Sequence, residues 1–244
     1  MNYGSVCSGI ESAAVAWESL GWHCSFMSEI DPFACAVLKH RFPDVPLHGD
    51  FRTIMYGMYE PIFLLVGGTP CQDYSVAGLR EGIQGERGRL SLDFISLAQR
   101  LKPRYIIWEN VPGILSSGGG RDFGAFLGAL VKCGYGIAYR ILDAQFFGVP
   151  QRRRRMFVVG YFGDNGIRTG KILFDSDGVC RHSHQSRTKR KAVAALTANG
   201  VGACGADDNQ AQAGHLIAGT LRASGSGVRR LMPVECERLQ GFED

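Results

Sequence analysis

Residues 67–75 read GGTPCQDYS, directly behind the apolar run Pro61–Val66. A structural cysteine behaves as a small hydrophobe and would sit inside such a run. Cys71 lies just past it instead, between proline and glutamine, where loops that follow parallel strands display reactive groups. A thiol reacts as its thiolate, and the unbroken run Arg152–Arg155 could supply the positive charge that lowers its pKa. A carboxyl, Glu109, opens Glu109-Asn110-Val111 behind the neighbouring apolar run and could converge with the thiol on one ligand. Other runs end in Cys7-Ser8-Gly9-Ile10-Glu11, in Ser28-Glu29-Ile30-Asp31 and in Gly49-Asp50-Phe51. A glycine turn followed by an acid one strand later fits a nucleoside cofactor whose ribose hydroxyls Glu29 would accept. The full GxGxxG is absent, because Glu11 and Ser12 stand where further glycines would be expected. Glu29 reads equally well as a charge placed ahead of the helix that begins at Pro32.

The elements that must position these groups alternate. Strands are predicted at Tyr3–Val6, His23–Met27, Val45–Leu47, Ile62–Val66, Tyr105–Trp108, Ile137–Leu142 and Met156–Tyr161. Helices are predicted at Ser12–Leu20, Pro32–Arg41, Leu90–Leu101 and Asp122–Lys132. Such alternation predicts an α/β fold with a doubly wound, mostly parallel sheet over residues 1–161. Residues 162–228 break the pattern, with few apolar anchors and the quasi-repeat LTANGVG (196–202) and LRASGSG (221–227). They read either as flexible loops or as a small recognition module grafted onto the sheet domain. A helical pattern resumes at Pro233–Leu239.

Composition narrows the class. A chain of 244 residues can bury one large core, and 33 glycines imply many loops. No apolar run approaches bilayer length, and the N-terminus lacks the basic segment of a signal peptide. The closest two of eight cysteines, Cys24 and Cys35, are eleven positions apart, so neither zinc nor a disulfide framework is expected. The chain reads as cytosolic and reduced. A net charge of +4 permits an anionic partner, and Arg181, Arg187, Lys189, Arg190 and Lys191 crowd one polar stretch. Either basic run also fits a solvated face.

Taken together, the motifs resemble those of the C5-cytosine DNA methyltransferases of bacteria and phages. Pro70-Cys71-Gln72 matches the family's PCQ motif, Glu109-Asn110-Val111 its ENV motif and Gln151–Arg155 its QxRxR motif. RRLMPVECERLQGF, residues 229–242, matches the motif behind the recognition region, and Arg87-Gly88-Arg89-Leu90 the segment opening the helix before ENV. The resemblance implies a Rossmann-like fold and methyl transfer from S-adenosylmethionine to carbon 5 of a flipped-out cytosine in duplex DNA, leaving S-adenosylhomocysteine and using no metal. Cys71 would be the covalent nucleophile and Glu109 would hold or protonate ring nitrogen 3. Arg155 would bind the ring carbonyl, with Arg153 in support. Cofactor contacts would come from Cys7, Gly9 and Ile10, from Glu29 on the ribose, and from Ile30, Asp50 and Phe51 around the adenine, with Leu90 closing the pocket. Ser75–Arg87 would be a mobile loop closing over DNA.

Residues 162–228 would recognise the target, Arg181–Lys191 would contact phosphates, and residues 229–244 would return to the catalytic domain. The resemblance implies a monomer that works on DNA in the cytoplasm of a bacterial or phage-infected cell, at the nucleoid when DNA-bound, in the setting of restriction-modification. Three features depart from its pattern. Glu11 and Ser12 replace glycines, Glu243 replaces a proline, and the chain stops before a last Gly-Asn segment. Weaker cofactor binding and lower stability than in an extended chain are therefore expected. Two alternatives share these motifs: a catalytically impaired DNA-binding relative, and a tRNA cytosine methyltransferase.

Overall fold

Apolar stretches too uniform for a one-sided strand form the centre of a sheet in the computed structural model. It describes residues 1–70 and 86–174, and the backbone of short strands at 193–194, 217–218 and 228–229. Cys71, the predicted closing loop up to residue 85, the basic stretch Arg181–Lys191, the helix at Pro233–Leu239 and most of the motif at 229–242 lie outside the described residues. The chain divides into two units. One contains Met1–Ile141 and Arg155–Asp175; the other contains Leu142–Arg154 and Ser176–Asp244.

In the first unit β1 (Asn2–Val6), β2 (His23–Ser28), β3 (Leu47–His48), β4 (Leu64–Gly67) and β5 (Tyr105–Asn110) are parallel to their neighbours. β6 (Tyr135–Asp143) and β8 (Arg154–Phe162) complete seven strands in the order β3-β2-β1-β4-β5-β8-β6, with β8 antiparallel to β5. The predicted doubly wound, mostly parallel sheet is therefore present. Between β3 and β5 the order steps from β1 outward in both directions, which puts the switch point of the sheet at the carboxyl ends of β1 and β4, the position where such sheets bind ligands.

Helices cover both faces. α1 (Ser12–Trp17) and α2 (Pro32–Arg41) lie with the cluster of Tyr3, Cys24, Met27, Leu38 and Leu64. α3 (Glu86–Leu101) and α4 (Arg121–Lys132) contribute Phe94, Leu97, Phe126 and Leu130 to the larger core around Leu65, Ile106 and Trp108. α4 buries Phe123, Phe126 and Leu130, the spacing of a one-faced helix. α2 begins where expected because Pro32 fits a first turn and Asp31 accepts the Ala34 N–H at 2.8 Å. Lys39, His40 and Arg41 close it against the helix dipole. Among the described residues, no helix is long and apolar enough to cross a membrane.

Three helices differ from the sequence reading. α3 begins at Glu86, before the predicted Leu90 and next to Arg87, which was matched to the segment that opens it. The predicted helix to Leu20 stops at Trp17 and tightens into a 3₁₀ turn over Glu18–Leu20, ended by left-handed Gly21. Within the segment read as having few apolar anchors, α5 (Ile167–Phe174), which the sequence reading did not predict, buries Thr169 and Leu173, and Arg140 donates from Nη1 to the Leu173 carbonyl at 2.9 Å. In the second unit β7 (Gln151–Arg152) pairs in parallel with β9 (Val193–Ala194). β10 (Ile217–Ala218) pairs antiparallel with β11 (Val228–Arg229). Two-residue strands are too short to print an alternation in sequence.

One irregularity lies in the strands that lead to the site. The β1–β2 register slips between Tyr3 and Gly4, so Tyr3 faces Cys24 while Gly4 faces Phe26. Ser25 is the extra residue of this bulge, a rare feature in a parallel pair. Gly4 is required there, since a Cβ would lie 2.3 Å from the Phe26 ring.

Candidate active site

The first cluster forms at the carboxyl ends of β1, β2 and β3. The loop leaving β1 has three left-handed residues in five, Cys7 (φ 51), Gly9 (φ 55) and Glu11 (φ 65). Only glycine adopts that region without cost, so the neighbours must hold the other two. They do so by stitching strand ends together. Ser8 donates its N–H to the Ser28 carbonyl at 3.1 Å, and Ser28 donates its hydroxyl to the Gly49 carbonyl at 2.6 Å. Glu29 gathers the rest: its carboxylate accepts from Gly9 N (2.8 Å), Ile30 N (2.8 Å) and Asp31 N (2.9 Å). The sequence left Glu29 between a cofactor role and a helix-terminal one. Asp31 caps α2, and Glu29 instead ties the β2 turn to the glycine of the β1 loop.

Cys7, Gly9, Glu29 and Asp50 are thus brought together. Burial pushes the Cys7 thiol up to about 12, and Glu29 and Asp50 nearby push the same way, so this cysteine stays protonated. Asp50 lies below its ordinary value because the Arg52 guanidinium bonds to it. It also caps a short 3₁₀ turn over Phe51–Thr53 by accepting the Arg52 N–H. Ile30 is 75% exposed at the rim, and Phe33 is as open. Ile10 is half-buried, and Leu90 on α3 packs partly against the main core. Phe51, expected beside an adenine, has its ring in the core and is 5% exposed.

Glu11 is the outlier. It is 1% exposed, and neither carboxyl oxygen has a hydrogen-bond partner. Burial pushes it from 4.5 up to about 7, against the weaker pull of the Ser5 and Ser8 hydroxyls and the Ala14 N–H, none of which reaches hydrogen-bonding geometry with it.

The second cluster forms at the ends of β4 and β5. Arg155 on β8 donates from Nε to Glu109 Oε1 at 2.9 Å, with both side chains partly exposed. Gly68 makes room for this pair, because a Cβ there would stand 3.0 Å from Glu109 Oε2. Thr69, buried, anchors the chain leading to Cys71. The Trp108 indole donates to its hydroxyl at 3.0 Å, Ser91 on α3 shares that hydroxyl at 3.2 Å, and Asn110 donates its amide to the Thr69 carbonyl at 3.3 Å. Asn110 in turn accepts the Val111 N–H at 2.8 Å. Two residues before Cys71, the backbone is therefore fixed from both α3 and β5. The sequence reading had given Thr69, Ser91, Trp108 and Asn110 no role. Their side chains act on backbone, and only the place of Thr69 at a strand end hinted at it.

Thr69→Val should therefore cost about 1–3 kcal/mol, because the buried Trp108 N–H and Ser91 hydroxyl lose their shared partner. Thr69→Ser should retain most of that stability. Urea unfolding of the two variants checks this; equal midpoints would show that the hydroxyl network is not stabilising.

Arg153 belongs to the second unit. There Asp143 accepts from Arg153 N at 3.1 Å and from Gln145 Nε2 at 2.7 Å, and Ala144 N donates to the Arg153 carbonyl at 3.0 Å. Gln151 is buried on β7. Asp143 thus fixes the backbone of the arginine-rich strand, a role that nothing in its sequence context announced.

Comparison with known proteins bears on both clusters. The profile of the C-5 cytosine-specific DNA methylase family matches residues 1–199. A protein of Escherichia phage P1 named DNA N-6-adenine-methyltransferase is 40% identical over 257 residues, covering 83% of this chain and 34% of its own length. Type II methyltransferase M.BsuFI of Bacillus subtilis is 34% identical over 160 residues, covering 66% of this chain and 39% of its own. The chain thus spans well under half the length of these two relatives. Among solved structures, the Dnmt2 methyltransferase of S. pombe shares the fold with a TM-score of 0.53 at 20% identity, covering 67% of this chain and 50% of that one.

Proposed function

Since the chain belongs to the C-5 cytosine-specific DNA methylase family, we propose that it methylates carbon 5 of cytosine in duplex DNA with S-adenosylmethionine as donor. The observation that carries this reading is the convergence at one sheet edge of the Glu109–Arg155 pair and the Thr69 anchor two residues ahead of Cys71.

The first cluster fits the cofactor. A carboxylate has about four acceptor sites; three on Glu29 are taken by backbone, which leaves one on Oε2 for a ribose hydroxyl. Exposed Ile30 offers an apolar face to an adenine, and Cys7, Gly9, Ile10 and Asp50 border the same crevice. Phe51 would support the pocket from below, and Leu90 would close it. When bound, the cofactor supplies an electrophilic methyl group on a positively charged sulfur.

The remaining chemistry falls to this chain's own residues. Carbon 5 of cytosine is too weak a nucleophile by itself. The Cys71 thiolate adds to carbon 6, Glu109 holds or protonates ring nitrogen 3, and Arg155 stabilises charge on the ring carbonyl, with Arg153 in support. The ring becomes an enamine whose carbon 5 takes the methyl group. Water then takes the carbon 5 proton, the carbon 6–sulfur bond breaks with its electron pair leaving on the Cys71 thiolate, any proton on nitrogen 3 returns to Glu109, and the ring is aromatic again. None of these atoms is reachable in a stacked duplex, so the cytosine leaves the helix. Residues 162–228 serve target recognition, with Arg181–Lys191 on phosphates, and the protein works as a monomer in the cytoplasm.

The name of the phage P1 relative supports a second reading, methylation of adenine N6. That name covers a protein of which the matched stretch is 34%, and amine methylation has no use for a thiol behind β4. Nucleoside analysis of duplex DNA incubated with the chain and S-adenosylmethionine separates the two. 5-Methylcytosine is expected; N6-methyladenine alone would overturn the proposal, and methylation of tRNA but not DNA would redirect it.

A further inference from the structure

Glu11 carries two costs at one residue: a left-handed backbone, where glycine would be free, and a buried carboxyl without a hydrogen bond. Breaches of local rules collect at functional sites. Glu11 lies in the loop leaving β1, two residues from Gly9, whose N–H is clamped by Glu29. The proposed mechanism gives it no task.

We propose that Glu11 is a charge-selecting residue of the cofactor loop: it gives its proton to solvent as the positively charged methyl donor binds, and its buried carboxylate then favours that donor over the product, whose sulfur is neutral. The inference rests on the cofactor assignment made above. Its physics is that of an acid in a poorly polarisable setting. Burial favours the neutral form, a nearby cation favours the charged one, and the missing hydrogen bonds leave the balance to the cation. The titratable groups facing Glu11 are Tyr3 on β1 and Cys24 on β2. Burial raises both, Cys24 to about 12, so neither carries charge at neutral pH. Residues Ser12–Trp17 of α1 contain no titratable side chain. Glu29 and Asp50 act on Cys7. Donor and product share the same ammonium and carboxylate and differ by the sulfonium charge, so the buried acid can tell them apart.

Calorimetric titration of the full chain at pH 7, repeated in phosphate and Tris buffers, counts protons released per ligand bound. Release of roughly half a proton is expected with S-adenosylmethionine, since a group titrating near 7 is about half protonated there. Less is expected with S-adenosylhomocysteine, and release should fade by pH 9. Glu11→Gln should abolish it and lower the preference for donor over product at least about threefold. If that variant does not melt cooperatively, Glu11→Gly, which suits the backbone, takes its place. Binding without proton release, or release that persists in the variants, overturns the role of Glu11. Absence of binding by either ligand overturns the cofactor reading itself, and this inference with it.

Discussion

Glu109→Gln should lower the turnover of methyl transfer by about two to four orders of magnitude, the usual span for a positioned acid or base, while leaving the fold intact. Glutamine keeps the shape and can still accept from Arg155, but it cannot pass a proton to the ring nitrogen. Its effect on stability should be modest, because the glutamine amide oxygen still accepts from Arg155 and both side chains keep contact with solvent. Arg155→Lys is the companion test. Lysine keeps the charge but loses the planar fork, so a site that uses the guanidinium to grip a carbonyl should suffer nearly as much as with alanine. Steady-state methyl incorporation, with thermal melts of each variant, separates these outcomes. Full activity in Glu109→Gln would remove the carboxyl from the chemistry.

The second large effect concerns stability and pH. Below about pH 4.5 Glu11 is protonated in both folded and unfolded chains, and it contributes no pH dependence. Between 4.5 and about 7 the unfolded chain releases the proton while the folded chain keeps it, so stability falls as pH rises through the folded value. Each unit of displacement corresponds to 1.36 kcal/mol, so wild-type protein should lose about 3 kcal/mol through this residue by pH 8. Glu11→Gln removes that dependence. Urea unfolding of both proteins at pH 5 and pH 8 should show the variant gaining about 2–3 kcal/mol on wild type between the two; parallel curves would mean that Glu11 titrates normally.

What could be read from sequence, and what could not, follows from where each signal is written. α2 was legible to the residue because its start and stop are local: Asp31, Pro32 and three basic residues in the last turn. β4 and β5 were legible as apolar runs, and their ends marked the candidate site. α5 was missed because glycines at 163 and 166 flank it and only Thr169 and Leu173 are buried. The bulge at Ser25 was invisible, since it depends on how β1 and β2 register. Phe51 was placed beside an adenine by the family resemblance, and its packing with the main core could be seen only in the structure. Thr69, Trp108 and Asp143 act through hydrogen bonds between distant segments, which no spacing rule encodes. Glu29 shows the middle case. Its position was legible, and its service to Gly9, Ile30 and Asp31 required coordinates.

These contacts give the sheet edge a division of labour. The β1–β3 end holds the glycine loop and its acid, and the β4–β5 end fixes the backbone ahead of Cys71 beside Glu109 and Arg155. The most direct test traps the reaction between them. The chain is mixed with S-adenosylmethionine and duplex DNA carrying 5-fluorocytosine, and intact mass is measured, with Cys71→Ala as control. Fluorine at carbon 5 prevents the final elimination, so the account predicts a covalent protein–DNA adduct that disappears in Cys71→Ala. DNA binding without any adduct, or an adduct that survives the substitution, would contradict it.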